Sequence, residues 1–162
     1  MSSASRNKPR VVVVGMGNLL LKDEGIGVHV AHALERAPLP SDVELEVIDG
    51  GTSPHLLPLL EGVDKLIILD AAKGGGEPGA IYRFAPEAVN IEERDITSVH
   101  QIGLLETLRM MKSLRREPKK VVIIGIEPKE IDYGLELSPE LEKRIPDITA
   151  MVLKEIAEPI HS

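Results

Sequence analysis

Short, β-branched apolar runs recur along this chain at Val11–Gly15, Lys65–Leu69 and Lys120–Gly125, and Val43–Ile48 reads as a further strand. A run that is apolar at nearly every position suits a parallel strand buried on both faces. The stretches between these runs carry helical spacing, and strand-like and helical segments in alternation specify a layered α/β domain. Asp23 is placed to cap a first helix over about 24–37, whose Ile26, Val30, Ala33 and Leu34 fall on one face. Ser53-Pro54 opens a short helix. Ser98-Val-His100-Gln101 forms a capping box for a helix over about 99–115. Ser138-Pro139 begins a helical region reaching about residue 157, kinked or broken at Pro146.

One connection fixes a direction. A fourth strand, Ala80–Phe84, follows the third after only the glycine-rich link Lys73–Gly79. A parallel crossover needs about a dozen residues or more, so this strand is expected to run antiparallel. A loop over 85–97 follows. Neither repeats nor a second-domain boundary interrupt the pattern. The expected organisation is a tail over 1–9, one α/β/α domain over 10–157 and a tail over 158–162.

Composition then removes whole classes of function. The chain has 162 residues, and 19 Lys plus Arg against 26 Asp plus Glu leave a net charge of −7. That balance opposes nucleic-acid binding, which needs basic surface to neutralise phosphates. No cysteine is present, so disulfides, thiolate metal sites and a cysteine nucleophile are all excluded. A metal must therefore meet His, Asp or Glu. No apolar run nears the roughly 20 residues of a membrane-spanning helix. The opening MSSASRNKPR has no signal-peptide core, and a cytoplasmic protein is expected.

Gly15-Met16-Gly17-Asn18-Leu19-Leu20 is a partial dinucleotide fingerprint, with Asp49 at the end of strand two as a possible ribose partner. The third glycine is replaced by Leu20, however, and Asp23-Glu24 puts two carboxylates where a helix N-terminus would otherwise hold phosphate. Those acids are the more informative feature. Asp23 is explained by capping. Glu24 is flanked by Gly25 and Gly27, which cost helix stability and imply close approach to the backbone. Asp70 leaves the third strand at its C-terminal edge, where open α/β folds bind ligands. With strands one and three adjacent, Asp70 and the Gly17–Glu24 segment would face one crevice. His100, in a first helical turn, is kept neutral by the helix dipole and is able to bind metal. It joins a site only if it closes on Glu24 and Asp70. His29 and His32 read as structural, and neither H-E-x-x-H nor G-x-S-x-G occurs. The cluster Lys112, Arg115, Arg116, Lys119 and Lys120 complements a helix C-terminus.

These residues resemble a known family. Gly17-Asn18-Leu-Leu-Leu-Lys-Asp23-Glu24-Gly25-Ile-Gly27, Asp49-Gly50-Gly51, Leu66-Ile-Ile-Leu-Asp70-Ala, His100 and Gly125-Ile-Glu127-Pro128 are similar, in order, to the nickel–iron hydrogenase maturation endopeptidases. The resemblance covers about residues 10–157. It implies an aspartyl-type endopeptidase that removes a C-terminal extension from the hydrogenase large-subunit precursor after nickel is loaded. It implies metal contact through Glu24, Asp70 and His100 and nickel carried by the substrate; Glu24 and Asp70 are then expected to share recognition and catalysis. It also implies a five-stranded mixed sheet in order 2-1-3-5-4 with strand four antiparallel. Asp49 either lines the pocket or only ends its strand. Two other readings remain: a nickel-sensing chaperone that uses the same three residues but leaves the precursor intact, and a small nucleotide-binding enzyme using Gly15, Gly17 and Asp49.

Overall fold

The structure, a computed structural model, describes residues 8–51, 60–88 and 99–160, with side chains for 8–50, 60–87 and 106–160. Five strands form one sheet: β1 (Arg10–Met16), β2 (Glu44–Gly51), β3 (Lys65–Ala71), β4 (Ile81–Phe84) and β5 (Lys120–Ile126). Their order is β2-β1-β3-β5-β4. β1, β2, β3 and β5 run parallel, and β4 pairs antiparallel with β5, Ile81 opposite Ile126 and Phe84 opposite Ile123. The short Lys73–Gly79 link thus joins antiparallel strands, as its length required.

The helices are α1 (Ile26–Glu35), α2 (Val99–Ser113), α3 (Pro139–Glu142) and α4 (Ile145–Ala157). Side-chain alternation along the strands divides the core into two layers. Val11, Val13, Ile67, Leu69, Ile124 and Ile126 pack with Ile26, Val30 and Leu34 of α1 and Ile148, Val152 and Ile156 of α4. Val12, Val14, Leu66, Ile68 and Ile123 face the other side, with Leu60 and with Leu108 and Met111 of α2. Burying both faces explains why β1, β3 and β5 read as nearly continuous apolar runs, whereas the edge strand β2 alternates exposed Glu44 and Glu46 with Leu45 and Val47.

Several local expectations are corrected. The first helix does not begin at residue 24: Lys22–Gly25 is a 3-10 turn, and α1 starts at Ile26 with no side-chain cap. Pro146 accompanies a break, one of its two expected outcomes, and not a kink. It lies in the first turn of α4, after a break that follows α3, where its missing N–H costs nothing. β2 runs on through Asp49 to Gly51. α2 ends at Ser113, with Arg115 in the left-handed region (φ 58°), a common way to stop a helix. The helix expected at Ser53-Pro54, Ser98 of the capping box and most of the 85–97 loop lie outside the described residues.

Candidate active site

The parallel strands all point their C-terminal ends to one edge, and the candidate residues gather there. β1 ends at Met16, one residue beyond the Gly15–Leu69 pairing with β3, so Asp70 sits beside the exit of β1. Asp70 is fully buried, and one of its carboxylate oxygens accepts the Ala71 amide at 2.8 Å. A carboxylate fixed in this way has lost rotamer freedom before a ligand arrives.

Glu24 reaches the same edge through the 3-10 turn, which packs against β3. Gly27 sets how closely. A methyl group on its α-carbon would lie 2.3 Å from the Leu69 carbonyl oxygen and 2.4 Å from that of Met16. The close approach implied by the glycines is therefore made by the protein's own strands. Glu24 itself is half-buried, between a core residue and a solvated one.

Asp23 is not a helix cap. Its side chain is fully buried and accepts hydrogen bonds from the amides of Lys129 (2.9 Å), Glu130 (2.8 Å) and Ser138 (2.7 Å) and from the Ser138 hydroxyl (2.8 Å). Its own amide donates to the Glu130 carbonyl at 3.0 Å. One carboxylate thereby anchors the chain that follows β5 onto the turn carrying Glu24.

Glu127 is a second organising carboxylate, named in the sequence only within the Gly125-Ile-Glu127-Pro128 motif and given no role there. It is 7% exposed and accepts from the Gly74 amide (2.7 Å), the Gly76 amide (3.2 Å) and the Tyr82 hydroxyl (2.6 Å). Burial pushes its pKa up, but donation from Tyr82 and the glycine amides outweighs this and holds the carboxyl below its ordinary value. The glycine-rich link thus has a structural purpose: it wraps a carboxylate. Gly75 takes φ +83°, and a methyl on Gly74 would lie 2.7 Å from the Tyr82 ring. The signal was the run of glycines opposite Glu127-Pro128, separated from it by about fifty residues of sequence.

The remaining candidates fall as follows. His100 belongs to the first turn of α2, and its side chain lies outside the described ones. Asp49 is exposed and pairs with His32 Nε2 at 3.1 Å. His29 has a buried Nε2 with no hydrogen-bond partner, and burial lowers its pKa, consistent with a neutral structural residue. In the partial dinucleotide fingerprint, Gly17 packs on the Glu24 carbonyl and Gly15 on α1. The turn Lys22–Gly25 therefore lies directly against Gly17, with the Glu24 carbonyl oxygen 2.0 Å from where a methyl on that glycine would be.

An open cavity of about 740 Å³ lies at the other edge of the sheet, lined by residues such as Pro9, Val11, Asp64 and Ile156. None of the candidate acids lines it. No helix among the described residues is long and apolar enough to cross a membrane.

Comparison with known proteins identifies the family. A family model described as hydrogenase maturation protease matches residues 28–155. The hydrogenase 2 maturation protease of Escherichia coli is 34% identical over 151 residues, covering 92% of each chain. A hydrogenase expression/formation protein of Thiocapsa roseopersicina, HupD, is also 34% identical, over 94% of this chain and 70% of its own. The solved structure of the hydrogenase maturating endopeptidase HybD from E. coli superposes with a TM-score of 0.82 at 34% identity, covering 91% of both chains.

Proposed function

The chain belongs to the hydrogenase maturation protease family and is a peptidase, and from that premise we propose its substrate and chemistry. It removes the C-terminal extension of the nickel–iron hydrogenase large-subunit precursor once nickel has been inserted. Glu24, Asp70 and His100 hold the substrate's nickel, and Glu24 and Asp70 share recognition and catalysis. The observation that carries this reading is the packing of the Glu24 turn against β3, at the edge where the buried Asp70 ends its strand.

The donor set suits the ion. Two carboxylates and an imidazole accept a borderline divalent metal and leave positions open for the scissile segment. Arriving with the precursor, nickel would supply a Lewis acid. Asp70, fixed by the Ala71 amide, presents a carboxylate with little reorganisation. Glu24, half-buried, is reachable by an incoming chain while the flanking glycines keep its backbone against the sheet. Asp23 and Glu127 hold the two segments that border this edge, the first through residues 129–138 and the second through Gly74–Gly76.

The test is cleavage of loaded precursor by Glu24→Gln, Asp70→Asn and His100→Ala. General acid–base work by a carboxylate is worth about 100-fold or more. Glu24→Gln and Asp70→Asn should therefore lose at least about 100-fold in rate with their thermal midpoints nearly unchanged. Wild-type processing by Glu24→Gln would remove that residue from the assignment.

A further inference from the structure

Two short segments beside Glu24 expose large apolar side chains. Leu20 is 61% exposed, Ile131 42%, Tyr133 86% and Leu135 67%. They are far apart in sequence but joined in space. Lys22 donates its amide to the Gly134 carbonyl at 3.0 Å, and the Gly134 amide donates to the Leu20 carbonyl at 2.9 Å. The stem of Lys22 lies across Gly134, where a methyl would meet its Cε at 2.9 Å, and its Nζ pairs with Glu130 at 3.0 Å. The aliphatic part of Lys22 therefore joins the apolar side chains while its charge is neutralised locally.

Such a patch is not incidental loop surface. Asp23 fixes the 129–138 segment at both ends, through Lys129 and Glu130 on one side and Ser138 on the other. The same side chain stands next to Glu24. Exposed apolar groups held in place by a buried hydrogen-bond network mark an interaction surface, and an exposed tyrosine is a frequent centre of such surfaces.

We propose that Leu20, Ile131, Tyr133 and Leu135 form a docking surface for the folded body of the precursor, against an apolar face next to the segment being cut. The inference rests on the proposed function and deepens it. The occupant follows from continuity: a substrate whose scissile segment reaches Glu24 comes alongside the turn of residues 18–21, which carries Leu20 and leads directly into the Glu24 turn. A tail lying at the catalytic edge alone would leave these side chains in water. A protease that binds a folded partner covers about 800 Å² of its own surface, which requires ground beyond the catalytic edge. The acids Asp132 and Glu136 alternate with the apolar residues, so the matching face is apolar with cationic neighbours.

The experiment measures precursor binding by interferometry and cleavage by mass, for wild type, Tyr133→Ser, Leu135→Ser and the double variant. Leu114→Ser serves as the control. Leu114 is 58% exposed but follows the C-terminal end of α2, at the opposite edge of the sheet. The double variant should raise Kd and KM at least tenfold, with kcat changed less than twofold and an unchanged thermal midpoint. Leu114→Ser should match wild type. Equal Kd and KM for wild type and the double variant would overturn the docking surface while leaving the proposed function standing. A wild-type protein that neither binds nor cleaves the precursor would overturn both. A wild-type dimer that the double variant converts to monomer, with precursor affinity unchanged, would assign the patch to self-association and overturn the proposal.

Discussion

The two edges of the sheet treat their buried carboxylates in opposite ways. At the C-terminal edge, Asp23 and Glu127 are satisfied by backbone amides and hydroxyls. At the N-terminal edge, Glu155 is held by cations. Arg83 donates to it at 2.6 and 3.3 Å, and the fully buried Lys65 lies 3.6 Å away. Lys65 also donates to the carbonyls of Glu155 and Glu158 at 2.7 Å each, closing the end of α4 over the start of β3. Arg116–Glu61 and Lys119–Asp64 continue the pattern at the surface.

The difference is instructive. A carboxylate paired with a fixed cation has its charge cancelled and offers little to an incoming metal ion. A carboxylate held by amides keeps its full charge and gains only a fixed position. The edge proposed to meet a nickel-bearing substrate uses amides in its supporting carboxylates. The edge that only closes the fold uses ion pairs.

The comparison is broken most severely at Asp23. Asp23→Ala abolishes four hydrogen bonds to a charged, buried acceptor, each worth about 1.5–3 kcal/mol. Because the released amides of the 129–138 segment regain water, the loss is smaller than the sum, about 4 kcal/mol in urea denaturation, together with weaker precursor cleavage. At the other edge, Glu155→Gln breaks a buried ion pair and should cost about 3 kcal/mol. Here cleavage per folded molecule should match wild type, so the two variants separate stability from activity.

Glu127→Gln is the intermediate case. It keeps the shape of the carboxylate but replaces an acceptor with a donor facing the glycine amides and Tyr82, at a cost of about 2 kcal/mol. The smallest effect is on pH dependence. Glu127 and Glu155 both have pKa values lowered on folding from an ordinary 4.5. Their contribution is complete above that value and is lost as pH falls through the folded-state values. His29, lowered from 6.5 by burial, adds a shallower loss that begins as pH drops below 6.5, since only the unfolded chain takes up the proton readily. Thermal midpoints should thus decline gently below pH 6.5 and steeply below 4.5, and Glu127→Gln should flatten the steep part.

What could be read from the sequence was local or nearly so. The apolar runs gave the parallel strands, and the length of the Lys73–Gly79 link gave the direction of β4. The order of the strands came from family resemblance, since no spacing argument says that β1 lies between β2 and β3. Asp23 was misread because capping is a rule about the next few residues, whereas its partners lie 106 to 115 positions away. Glu127 was given no role for the same reason: its donors are 45 to 53 residues distant. At Pro146 the sequence leaves a kink and a break open, because a proline within a helical pattern and a proline starting a new helix look alike until the break before it is seen. Glu24 and Asp70 stand out as candidates in the sequence because each carries a local anomaly, glycines beside the first and an apolar run before the second.

The account's central claim is that this edge reads nickel on the substrate before cutting. The direct measurement is the mass of the large-subunit precursor after incubation with the protein, with and without nickel inserted. The account predicts loss of a C-terminal peptide from the loaded precursor alone, and no loss with Glu24→Gln or Asp70→Asn. Equal cleavage of the nickel-free precursor would contradict it.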